Sequence, residues 1–89
     1  MGGYVTLDPN TVLAPSGATV GLLGRAGIRY TTSDGAVEVD SEMLAPPMTI
    51  AIYPGSIISP FTPPNDVLAE ILGALNHLGF TVELIGELR

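Results

Sequence analysis

The chain has 89 residues, no cysteine, and nine Asp and Glu against three Arg, for a formal charge of −6. The missing thiols exclude disulfides, thiolate nucleophiles and thiolate metal sites. The acidic balance argues against nucleic acid as a direct ligand, because phosphates would be repelled. With 46% apolar residues set in periodic runs, the sequence reads as one folded domain over residues 1–89 rather than a disordered acidic tail.

The N-terminal stretch lacks a basic region followed by an apolar one, and no apolar run approaches the ~20 residues that span a bilayer. The expected location is the cytoplasm, without membrane contact. Gly2 followed by Thr6 matches the spacing for N-myristoylation, but no polybasic patch supplies the second anchor that stable attachment needs.

Tyr4 to Leu13 alternates weakly and is broken at Asp8-Pro9-Asn10, which predicts a short strand, a turn and an edge strand. Ala18 to Leu23 is a strand entered from the turn Pro15-Ser16-Gly17 and left at Gly24. The segment Gly21 to Gly27 has glycines around Arg25 like a phosphate cradle. No Lys-Ser or Lys-Thr follows and no helix opens there, so it reads as a strand end running into a turn.

Ile28 to Ser33 and Ala36 to Asp40 flank Asp34-Gly35, the signal for a two-residue type I′ hairpin. That loop pairs Thr32 with Val37, Tyr30 with Val39 and Arg29 with Asp40. Ile28, Tyr30, Thr32, Val37 and Val39 then face inward, and an Arg29–Asp40 ion pair lies outside. Met48 to Tyr53 is evenly apolar and predicts a central strand, preceded by Pro46-Pro47 and closed by Pro54-Gly55.

Thr62-Pro63-Pro64 opens a helix, with Thr62 as cap and Asp66 in the first turn. Leu68, Ile71, Leu72, Leu75 and Leu78 recur at the helical period and face the sheet. Gly79 is placed for a left-handed cap, with Phe80 folding back on Leu75. Phe80 to Ile85 is a last strand, followed by a short tail. The fold class expected is α+β: a small, mostly antiparallel sheet of five or six strands, one C-terminal helix packed on it, and a final strand.

Few residues offer chemistry. His77 is the single histidine and stands in the last helical turn, where a cation complements the dipole; one histidine does not build a metal site. Glu38, Asp40 and Glu42 alternate along a strand, so their carboxylates share one side at roughly 7 Å spacing. A straight strand does not wrap a hard cation. The row reads as a solvated face or as a contact surface for a basic partner. The apolar, Pro-rich connection 56–64 either packs over the sheet with Phe61 as its anchor or offers Phe61 to a partner. Nucleophile, base and orienting group do not assemble into a catalytic centre, and no cofactor or metal is expected.

Taken together, Ile28-Arg29-Tyr30, Val37 to Leu44, Ile52 to Ile57, and Pro63-Pro64 before a helix ending at Gly79-Phe80 resemble a group of small bacterial immunity proteins encoded beside polymorphic toxins. The similarity covers about residues 22 to 85. It implies a compact α+β protein that binds and silences a cognate toxin, with Glu38, Asp40, Glu42 and Phe61 as the contact residues expected here. The composition also suits another class, a structural subunit of a phage particle or similar assembly.

Overall fold

Among the described residues the periodic runs become seven strands and one α-helix: β1 Val5–Asp8, β2 Thr11–Leu13, β3 Thr19–Leu22, β4 Ala26–Thr32, β5 Gly35–Leu44, β6 Thr49–Ile52, then a single 3-10 turn Pro54–Ser56, α1 Pro64–His77 and β7 Thr81–Leu84. A computed structural model describes residues 3–45 and 47–88. Gly2, Pro46 of the diproline and the terminal Arg89 therefore lie outside the described residues.

The strands form one sheet in sequence order, β1 to β7. The first six pair antiparallel as a meander, and β7 returns parallel to β6 after the helical crossover. This is the expected α+β class, with seven strands where five or six were expected. The added pairing is local. Asp8 Oδ1 accepts the Asn10 N–H at 2.9 Å and closes the β1–β2 turn as an Asx turn.

The helix contacts both β3 and β7, and Tyr4, just before β1, packs at Gly73, where an added Cβ would overlap its ring. Strands so far apart in the order reach one helix because the sheet curls around it. The core lies in that trough. Val12, Val20, Ile28, Tyr30, Val37, Val39, Ile50 and Ile52 from the concave face meet Val67, Ile71, Ala74 and Leu75 of α1. Leu68 and Leu78 pack against this core, while Leu72, expected in the stripe, is only half-buried. Val67 and Ala74 carry part of the contact assigned to it.

The helix starts without the expected Thr62 cap. Pro63 precedes it and Pro64 is its first residue, with no side-chain cap bond. Proline has no N–H, so Pro64 removes one of the donors that a cap would have to satisfy. At the other end Gly79 has φ +92. Phe80 N–H donates to Leu75 O at 2.9 Å and Gly79 N–H to Asn76 O at 3.0 Å, the paired bonds of a Schellman cap.

The β4–β5 hairpin keeps the expected faces in a different register. Thr32 pairs with Gly35, Tyr30 with Val37 and Arg29 with Glu38, a slip of two residues from the type I′ reading. Ser33 and Asp34 form the loop, and neither has positive φ. Gly35, which follows the loop, takes φ +146, and two features border the turn. Thr32 Oγ1 accepts the Asp34 N–H at 3.1 Å, and a Cβ on Gly35 would stand 3.3 Å from the Phe61 ring. A slip of two preserves the alternation, so Ile28, Tyr30, Val37 and Val39 are still buried. The ion pair moves from Asp40 to Glu38, 2.8 Å from Arg29.

Candidate functional site

Two acidic surfaces result, one on each side of the sheet. On the convex side Glu38, Asp40 and Glu42 are exposed along β5, because β5 buries Val37, Val39 and Ser41 on the other face. Glu38 is held by Arg29. Tyr53 hydroxyl donates to Glu42 Oε1 at 3.2 Å, and this bond raises the Tyr53 pKa above its ordinary value. Asp40 is fixed through its backbone: its N–H donates to Ser56 Oγ at 2.8 Å and its carbonyl accepts from Tyr53 N–H at 3.0 Å. Rigid strand backbone therefore presents the row, with a single cation, Arg29, paired into it among the described residues.

Phe61 is half-buried and packs against the core beside Gly35, acting as an internal anchor of the connection. The exposed apolar side chain of that connection is Ile58, 71% accessible. His77 is exposed, and its Nε2 lies 3.0 Å from Thr6 Oγ1, so it ties the end of α1 to β1. No group of three or more His, Asp or Glu among the described residues converges on a possible metal position.

The second surface was not marked in the sequence. A groove of about 700 Å³ opens between α1, the β2–β3 turn and the β4–β5 turn, bordered by Ser16, Tyr30, Asp34, Asp66 and Glu70. At its floor Tyr30 is almost wholly buried and its hydroxyl donates to Glu70 Oε1 at 2.5 Å. Ser16 Oγ donates to the same oxygen at 2.8 Å. One signal was available: Glu70 lies three residues after Val67 and four before Ala74, at the border of the buried stripe, where a charge needs a partner.

Burial, with the Glu70 hydrogen bond and charge next, pushes the Tyr30 pKa up to about 12, while the Ser16 and Thr62 hydroxyls pull the other way. Because the native value lies above the ordinary 10, this stabilisation is whole below pH 10 and is lost as pH rises towards 12. Spectrophotometric titration should find Tyr30 the last of the three tyrosines to ionise. The Tyr30→Phe variant should lack the step near pH 12, and retention of that step would contradict the assignment.

No family model matches the chain, and neither curated proteins nor solved structures provide a match. No helix among the described residues is long and apolar enough to cross a membrane.

Proposed function

We propose that this protein neutralises a toxin by direct binding in the cytoplasm of the producing cell, without catalysis of its own. The observation that carries the reading is the exposed row Glu38, Asp40 and Glu42 on one rigid strand of a chain with net charge −6. Toxins that attack nucleic acid must be basic where they meet phosphate, and an aligned carboxylate row complements such a surface and speeds encounter. The order of motifs shared with immunity proteins supports the same reading. Its test is the association of the purified chain with the toxin domain encoded beside its gene, with and without charge reversal of the row.

A second reading, a structural subunit, has one observation in its favour. β1 and β7 are the two ends of the strand order, and exposed Val5 and Leu7 on β1 and Leu84 with Ile85 at β7 accompany them. Open edges of this kind can pair with further copies. Light scattering on the chain alone separates the two: a large ordered oligomer favours assembly, a small species favours the toxin-binding reading.

A further inference from the structure

The two ends of the sheet are finished differently. β1 has a break in register between Thr6 and Asp8, runs into Pro9, and is tied to α1 through Tyr4 and the Thr6–His77 bond. Bulges and prolines of this kind close an edge to further pairing. β7 has neither. Its register with β6 is unbroken from Thr81 to Leu84, it contains no proline and no cation, and among the described residues β6 is its one strand neighbour.

Two bonds fix the direction of the β7 main-chain groups. Thr81 N–H donates to Met48 O at 2.7 Å and Ile85 N–H to Ile52 O at 2.9 Å, so Thr81, Glu83 and Ile85 point towards β6. Successive residues of a strand alternate, and the N–H and C=O of Val82 and Leu84 therefore point away from the sheet. Past Ile85 the chain bends back at Gly86, with φ +83, and Glu87 O comes within 3.3 Å of a Cβ placed on Gly55. The tail thus crosses the end of β6 and not the outer edge of β7. Val82 and Leu84 align with Ile50 and Ile52 of the core face, and Leu84 and Ile85 are exposed. Glu83 aligns with Ala51, and Ala51 with Glu42, which places Glu83 on the convex face in line with the end of the β5 row.

We propose that the outer edge of β7 receives an extended segment of a basic partner protein as an eighth strand, with apolar side chains beside Val82 and Leu84 and a cationic one opposite Glu83. The inference rests on the toxin-binding reading for the identity of the partner. Charge selects this occupant over a second copy. An antiparallel β7–β7 pair that joins Val82 to Leu84 sets the two Glu83 carboxylates directly opposite each other, and β1 has no cation to offer in their place. Like charges across a strand pair destabilise it, and opposite charges stabilise it. Main-chain bonds then supply affinity and the alternate side chains specificity, while the body of the partner comes to lie beside the convex face and Glu42.

The test uses the full chain and the blocked pentapeptide acetyl-Thr-Val-Arg-Val-Thr-amide, followed by NMR shifts and amide hydrogen exchange. The expected result is saturable shifts centred on Thr81 to Ile85, with exchange at the Val82 and Leu84 amides slowed about tenfold or more at saturation. Leu84→Pro removes an outward N–H that the fold does not use. It should weaken binding about tenfold or more, as should glutamate in place of the arginine of the peptide. Leu84→Ala keeps the N–H and should lose less. Should Leu84→Pro not fold, the exposed Glu83→Lys decides: it should reverse the preference between the arginine and glutamate peptides. Absence of binding, unchanged exchange at Val82 and Leu84, full binding by folded Leu84→Pro, or an unaltered preference in Glu83→Lys would each overturn the proposal. A dimer of the chain alone that Leu84→Pro abolishes would give the edge to a second copy and overturn it as well. A chain that takes the peptide on β7 but binds no toxin would count against the toxin reading alone, and a toxin bound with Val82 and Leu84 still exchanging freely would sink only the edge proposal.

Discussion

Ile71→Ala and Leu75→Ala should each destabilise the protein by about 2–5 kcal/mol, whereas Leu72→Ala should cost less than about 1.5 kcal/mol. Ile71 and Leu75 are fully buried between α1 and the concave face of the sheet. Truncation removes their transfer energy and leaves a cavity that a curled sheet, fixed by its ladder, only partly fills. Leu72 is at the margin of the contact, with water already beside it. A domain of this length has a total stability of roughly 4–13 kcal/mol, so combining the two core changes should unfold it. Urea denaturation with unchanged slope checks the single variants. Equal costs at Leu72 and Leu75 would mean that the helix is rotated from the position described.

The second large effect is expected at the floor of the groove. Glu70→Leu should cost about 1–3 kcal/mol, because it strips the acceptor from the Tyr30 hydroxyl in an almost wholly buried residue. Tyr30→Phe removes the donor instead and leaves the Ser16 bond to Glu70 intact, so its cost should be smaller. The double variant removes both ends, and should cost clearly less than the sum of the singles. The difference, the coupling of the pair, should be about 1–2 kcal/mol. Costs that add to within about 0.5 kcal/mol would show the two groups to be independent.

Legibility in the sequence followed the range of the interactions. The Gly79-Phe80 cap was readable because its bonds close within six residues, and the hairpin faces were readable because alternation survives a slip of two. The hairpin register was not. In the turn, positive φ falls on Gly35 alone, at +146, not on Asp34 as the type I′ reading requires, and the Phe61 ring from a distant segment lies beside it. The Thr62 cap failed for a local reason, since Pro64 at the helix start left fewer donors to satisfy. The convex row of Glu38, Asp40 and Glu42 followed directly from period two.

The acidic groove lay beyond such rules. Glu70 finds Tyr30 and Ser16 at separations of 40 and 54 residues, and Asp34 joins them only because the sheet curls around α1. A charge bordering an apolar stripe was the available hint, and it gives a location without naming the partner. Phe61 illustrates the reverse case. Its place in an apolar connection suited either an internal anchor or a partner contact, and its packing on the core fills the first role while Ile58 is left exposed.

For the proposed toxin-binding function, the most direct measurement is the association rate of the chain with a basic candidate toxin domain, followed by stopped flow across a range of ionic strength. Glu38, Asp40 and Glu42 are exposed and, apart from the Arg29 pair and the Tyr53 hydroxyl bond to Glu42, make no side-chain contacts of large worth to the fold. Reversal of all three to Lys should therefore leave the unfolding transition nearly unchanged. The expected result is association slowed by about tenfold or more at low salt, with a shallower dependence on salt than the unaltered chain. An unchanged rate at low salt, with binding otherwise intact, would contradict the proposal that the β5 row is the surface that meets a toxin.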